Sequence, residues 1–117
     1  MNLQVFEEAL EYIERNFAND ITLEDVSEHV HISTYYFSHG FKRFTGITFK
    51  EHLTKTRIKE AKRLLLTTDL TIGEVARQVG YDDPNYFSRV FKNIEGIPPS
   101  KFKMSKKVHL ERIFSEG

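Results

Sequence analysis

Residues 71–92 read TIGEVARQVGYDDPNYFSRVFK, and this stretch predicts two short helices separated by a tight break. A threonine followed three residues later by a glutamate forms a capping box that opens the first helix. Gly80 is typical of a helix end, and Asp83 followed by Pro84 is typical of the start of the next helix. A short helix, a break and a second helix make up the helix-turn-helix pattern.

An earlier part of the chain repeats this pattern. Thr22 caps a short helix, residues 31–33 form the break, and Ser33 caps a second helix that ends at Gly46. The two copies align at an offset of 49 residues, which becomes 50 after one inserted residue in the second break. So many matches indicate an internal repeat. The matching segments are Thr22, Val26 and Val30 with Thr71, Val75 and Val79, and Tyr36-Phe37-Ser38, Phe41-Lys42 and Gly46-Ile47 with Tyr86-Phe87-Ser88, Phe91-Lys92 and Gly96-Ile97.

Further helices are predicted around the two copies. Apolar residues at intervals of three or four predict an amphipathic helix from Leu3 to Phe17. A capping box at Thr48 opens a connector helix reaching about Leu66, roughly 28 Å long at about 1.5 Å per residue. The chain is therefore predicted to be all-α, with two tandem helix-turn-helix subdomains. The predicted segments are 1–47 (first helix and first helix-turn-helix), 48–67 (connector), 68–103 (second helix-turn-helix and a closing short helix that starts at 98–100) and 104–117 (a tail with helical character).

Composition and charge narrow the possible functions. The 117 residues contain no cysteine, which excludes disulfides and thiolate metal sites, and no apolar run approaches the roughly 20 residues of a membrane span. We therefore expect a cytoplasmic protein without a membrane partner.

The charge is unevenly distributed along the chain. The net charge is +0, but residues 1–41 hold only one of the 17 basic residues and eight of the 17 acidic ones. The remaining sixteen basic and nine acidic residues favour a basic binding face in the second part of the chain.

The quoted motifs resemble the signature of the AraC/XylS family of bacterial transcription regulators. The resemblance covers about residues 5–103 and is strongest in the second half, from Arg57 through residues 71–92 to the segment 96–99. It implies about seven α-helices, with two reading helices inserted in adjacent major-groove segments of double-stranded DNA. The connector length agrees with this, because successive major-groove segments on one DNA face lie about 34 Å apart.

The same resemblance implies which side chains face DNA. Arg89 and Asn85 are the strongest base-reading candidates, because arginine pairs bidentately with guanine and asparagine with adenine. The predicted base contacts are Thr34, Tyr35, Ser38 and His39 in the first reading helix, and Pro84, Asn85, Ser88 and Arg89 in the second. The predicted phosphate contacts are Lys42, Arg43, Lys50, Arg57, Lys92, Asn93, Lys101 and Lys103.

Other readings of the sequence remain open at this point. A zinc enzyme has only His29-x-His31 with Glu28 in its favour, without HExxH spacing or cysteine, so neither a metal nor a cofactor is expected. A protein-binding module is the stronger rival, since the acidic helix from Glu7 to Glu14 would suit a basic surface. The family resemblance further implies RNA polymerase as a partner. Both a stand-alone regulator and the DNA-binding part of a larger protein with a sensing or receiver domain are compatible with the sequence.

Overall fold

A computed structural model describes residues 3–105, and all secondary structure in this range is helical. The predicted all-α fold is therefore confirmed, and the suggested helical tail lies outside the described range from residue 106 onward. The helices are α1 (Leu3–Asn16), α2 (Leu23–His29), α3 (Thr34–Thr45), α4 (Phe49–Thr67), α5 (Ile72–Gln78), α6 (Pro84–Glu95) and α7 (99–105).

The chain divides into two compact units, one ending at Arg57 and the other beginning at Ile58. The division falls inside α4, so the two halves of this helix belong to different units. Each unit therefore contains one complete helix-turn-helix, α2 with α3 in the first and α5 with α6 in the second. None of the helices within residues 3–105 is both long enough and apolar enough to cross a bilayer.

Aromatic packing forms the core of the first unit. Phe37 and Phe41 of α3 are fully buried with ring centroids 5.5 Å apart, and Phe6 of α1 stacks on Phe37 at 6.1 Å. Burying each phenylalanine stabilises the fold by roughly 1.5 to 3 kcal/mol. The other buried apolar residues of this core are Ala9, Ile13, Val26, Val30 and Leu53.

The second unit repeats this arrangement with equivalent residues. Phe87 and Phe91 of α6 are fully buried, with ring centroids 5.9 Å apart. Phe102 of α7 packs edge-on against Phe91 at 5.5 Å, and an ion pair of 3.2 Å joins Lys62 to Glu95. The repeat in the sequence therefore reflects two cores built around the same pair of phenylalanine positions.

Capping residues set the helix boundaries. The predicted capping box at Thr71 with Glu74 and the predicted N-cap Thr22 are both confirmed, and Thr22 also forms a complete capping box with Asp25. At Thr48 only half of the predicted box forms, because its hydroxyl accepts from the Glu51 amide while the reciprocal bond is missing. The further predicted caps are also confirmed, with Ser33 and Asp83 at the N-termini of α3 and α6 and left-handed Gly46 at the C-terminus of α3. Gly96 is the equivalent left-handed cap at the C-terminus of α6.

Each helix-turn-helix turn is closed by one residue with a left-handed backbone. His31 has φ 61° and Gly80, its counterpart 49 residues on, has φ 105°. In both turns the next residue donates to a carbonyl five positions back, at 3.1 Å from Ile32 to Ser27 and 2.8 Å from Tyr81 to Ala76. This is the Schellman motif, which reverses the chain and satisfies carbonyls that the ended helix leaves unpaired.

The left-handed positions should respond differently to substitution. Gly80→Ala should lower the free energy of unfolding by about 1 to 3 kcal/mol, because a Cβ is strained at this backbone geometry. The matched His31→Ala should change it by under about 0.5 kcal/mol, since histidine already bears that strain. Urea denaturation followed by circular dichroism measures both values, and equal losses in the two variants would contradict this account.

His52 of α4 is a half-buried histidine in the first unit. Its ring meets Phe41 edge-on, with the centroids 5.6 Å apart. Burial lowers the pKa of His52 below its ordinary value, because desolvation disfavours the imidazolium; Glu14 opposes this effect and Lys55 adds to it. The unfolded chain therefore takes up a proton more readily than the folded one, and the His52 contribution to stability is lost as the pH falls.

His52→Gln should make the protein less sensitive to acid. We expect the drop in Tm between about pH 7.5 and pH 5.5 to be smaller in this variant than in the parent, because glutamine takes up no proton on unfolding. His39→Gln, which replaces an exposed histidine, is the control and should retain the parental drop. An unchanged drop in His52→Gln would count against a contribution from this imidazole.

Candidate nucleic-acid interface

One face of α3 is turned to solvent because the opposite face forms the core. Phe37, Gly40 and Phe41 are buried, so at 3.6 residues per turn the centre of the outward face falls on Tyr35, His39 and Lys42. All four base-contact candidates of this helix, Thr34, Tyr35, Ser38 and His39, are exposed.

The outward face of α6 has the same register. Asn85, Arg89 and Lys92 are exposed opposite the buried phenylalanines of this helix and lie 50 residues after the central positions of α3. The other two base-contact candidates of α6, Pro84 and Ser88, are half-buried rather than fully exposed. Each unit thus carries two outward polar or aromatic side chains one turn apart, followed by a lysine.

The imidazole of His39 is held by two contacts to the preceding turn. Its Nδ1 donates to the backbone carbonyl of Tyr35 at 2.9 Å, and its ring lies 4.2 Å from the Tyr35 ring at an interplanar angle of 33°. Tyr35 is 66% exposed, so the pair lies on the surface. These contacts fix the ring orientation of a side chain that would otherwise rotate freely.

Two exposed tyrosines were not assigned a role from the sequence. Tyr36 is 64% exposed and Tyr86 is 48% exposed, at equivalent positions of α3 and α6. The Tyr86 ring centroid lies 5.9 Å from the Arg89 guanidinium, within the range of a cation–π interaction. The signal was present in the sequence, because a tyrosine recurs at the same position of both copies, directly before a phenylalanine of the predicted core.

Two of the predicted phosphate contacts have partners within the protein. Arg57 donates from Nε to the Phe17 carbonyl at 2.7 Å and from Nη2 to the Asn19 carbonyl at 2.9 Å. Lys103 donates to the Leu70 carbonyl at 2.6 Å. These bonds close loops in the first and second unit respectively and favour a structural role for both residues. The other candidates are exposed: Lys42, Arg43, Lys50, Lys92, Asn93 and Lys101.

The histidines considered for a metal site are used in other ways. The His29 ring packs on Tyr12 with the centroids 4.4 Å apart, and His31 forms the left-handed position of the first turn. Between residues 3 and 105 there is no group of three or more histidine, aspartate or glutamate side chains that would hold a metal ion.

The chain resembles several known bacterial proteins. A family model described as a helix-turn-helix domain matches residues 26–105. Regulatory protein PocR of Salmonella typhimurium is 37% identical over 95 residues, which make up 81% of this chain and 31% of that protein. The arabinose operon regulatory protein of Escherichia coli is 41% identical over 97 residues, which make up 82% of this chain and 33% of that protein.

A solved structure shows the same fold at similar identity. The C-terminal domain of AraT, a response regulator from Geobacillus stearothermophilus, is 40% identical with a TM-score of 0.84, over 86% of this chain and 84% of that one. The chain spans about a third of the length of the curated relatives it matches.

Arg57 and Lys50 should differ in their effect on stability. Arg57→Met removes two charge-assisted hydrogen bonds to carbonyls and should lower the free energy of unfolding by about 1.5 to 3 kcal/mol. Lys50→Met, on an exposed position of the same helix, should change it by less than about 0.5 kcal/mol. Urea denaturation of the two variants tests this, and similar values would argue against a structural role for Arg57.

Proposed function

Since this chain belongs to the AraC-type helix-turn-helix family, we propose that it binds double-stranded DNA sequence-specifically and regulates transcription. The observation that carries the proposal is the shared register of the outward faces of α3 and α6. Each face presents side chains that suit base edges, with a lysine one turn further along for the backbone. Every contact in this function is a hydrogen bond, an ion pair or a van der Waals contact, so it requires no catalytic residue.

In α6, Arg89 and Asn85 are proposed as the principal base contacts. The Arg89 guanidinium forms no hydrogen bond or ion pair with any residue between 3 and 105, so its donors are available for the O6 and N7 atoms of guanine. Packing against Tyr86 already restricts the rotamers of the Arg89 side chain, so less conformational entropy is lost on binding. Pro84 and Ser88 flank these residues. Pro84 contributes to the shape of the proposed contact surface, and Ser88 contributes a hydroxyl group to it.

In α3, the proposed base contacts are Tyr35 and His39, with Thr34 and Ser38 beside them. The exposed Tyr35 ring offers apolar area that suits the methyl group of thymine. The Tyr35–His39 pair is already ordered in the free protein, which reduces the entropy lost on binding. We therefore propose that α3 contacts the bases of its major-groove segment through the Tyr35–His39 pair, which is already formed in the free protein.

The exposed basic residues supply the affinity that does not depend on sequence. Lysine and arginine side chains that neutralise phosphates release condensed counterions, which makes binding weaken as salt rises. With Arg57 and Lys103 bonded to carbonyls, the proposed phosphate contacts are Lys42, Arg43, Lys50, Lys92, Asn93 and Lys101.

Both reading helices belong to one chain, so a single molecule is proposed to occupy a bipartite site. The two half-sites would be adjacent major-groove segments about one helical turn apart. RNA polymerase is the proposed protein partner, and a sensing or receiver domain is proposed where the chain forms part of a longer regulator. Binding to chromosomal DNA would place the protein in the bacterial cytoplasm.

Selection from a randomised duplex pool should enrich two short motifs about one helical turn apart. Arg89→Ala should relax one motif and His39→Ala the other, and Arg89→Ala should weaken binding about 5- to 150-fold, as expected for a bidentate base contact of about 1 to 3 kcal/mol. Arg15→Ala, exposed on α1 outside the candidate interface, should leave both motifs intact.

Titration with salt separates DNA binding from a protein-docking role. Lys92→Ala should reduce the slope of log affinity against log salt by about 0.9, the value for one lost phosphate contact. The absence of any enriched motif would overturn the proposed sequence-specific function, and the absence of salt dependence as well would favour a protein-binding module.

A further inference from the structure

We propose that His39 reads an exocyclic amino group, N4 of cytosine or N6 of adenine, and that it does so as a hydrogen-bond acceptor. The inference rests on the proposed function and adds to it the kind of base that α3 selects. It follows from the contacts of a single imidazole ring, which determine where its proton is carried.

The bond to Tyr35 determines the tautomer of the neutral ring. A carbonyl oxygen can only accept, so the Nδ1 of His39 that lies 2.9 Å from the Tyr35 carbonyl carries the hydrogen. A neutral imidazole has one N–H group, which leaves Nε2 with a lone pair and no hydrogen. In the free protein, Nε2 is therefore an acceptor.

The surroundings of the ring leave this acceptor available. Nε2 makes no hydrogen bond to any residue in the range 3–105, and His39 is exposed at the centre of the outward face of α3. The Tyr35 ring covers one side of the imidazole plane at 4.2 Å and limits its rotation. A base edge in front of α3 would thus meet a lone pair held in a defined direction.

The major groove contains only two kinds of donor that match such a lone pair. Cytosine presents its N4 amino group and adenine its N6 amino group, whereas guanine O6 and N7 and thymine O4 are acceptors. An acceptor facing an acceptor leaves both groups unsatisfied, which weakens binding when the contact is desolvated. Every base pair carries one such amino group, on its cytosine or its adenine, so His39 is expected to determine which strand holds that base at one position of the half-site.

The equivalent position of the second unit has the opposite polarity. Arg89 lies 50 residues after His39 and carries only donors, which suit guanine. The same register thus presents an acceptor in one reading helix and a donor in the other. The two half-sites should accordingly differ in sequence even though the two units repeat one fold.

Base analogues test the inference directly. In the duplex enriched by the parent, each adenine of the α3 half-site is replaced by purine and each cytosine by 2-pyrimidinone, which removes only the amino group. At about pH 8, one such replacement should weaken binding of the parent about fivefold, the equivalent of roughly 1 kcal/mol. It should have no effect on His39→Leu, which lacks the acceptor, so the two changes should be non-additive.

A second variant reverses the polarity at the same position. His39→Arg carries donors in place of the acceptor and should shift the selected base to guanine, in line with Arg89. Circular dichroism of both variants should match the parent, because His39 is exposed. Equal losses for the parent and His39→Leu at every replaced base, on either strand of the half-site, would overturn the inference.

Failure of this inference is distinguishable from failure of the proposed function. If the parent enriches two motifs and only the amino-group replacements have no His39-dependent effect, the DNA-binding function stands and the role of Nε2 is wrong. If the parent enriches no motif, the proposed function fails and the inference fails with it.

Discussion

The left-handed residue that closes each helix-turn-helix turn is the constraint on which the rest of each unit depends. It reverses the chain within a few residues, so that the apolar face of the second helix packs against the first helix. This reversal brings a pair of phenylalanines into each core, Phe37 and Phe41 of α3 or Phe87 and Phe91 of α6. Their burial in turn determines which side chains of the same helix remain outside, and the surface proposed to contact DNA is thus a consequence of the turn.

On α3 and α6, the residue types at the outward positions are almost independent of the residue types at the buried positions. Phenylalanine occupies the same two buried positions in both units, whereas the outward positions carry Tyr35 and His39 in one and Asn85 and Arg89 in the other. Because outward side chains contribute little packing, their chemistry is free to differ without loss of stability. Two copies of one scaffold therefore present two chemically different sets of outward side chains.

Most of the fold was predictable because its determinants are local. Periodicity and capping residues act over three or four positions, and the predicted starts of α2, α3, α5 and α6 agree closely with the structure. The left-handed His31 was not predicted, since no glycine marks it; only alignment with Gly80 reveals it. The carbonyl bonds of Arg57 and Lys103 were also missed, because their partners lie 33 to 40 residues away in sequence.

The separate cores of the two units have an evolutionary consequence. A substitution at position 39 or 89 changes one outward face and leaves the packing of both cores intact. On the proposed function, a lineage carrying this chain is able to alter its preference for one half of an operator while the other half still secures binding. Regulatory targets would then be gained or lost in single steps, without passing through an intermediate that binds nowhere.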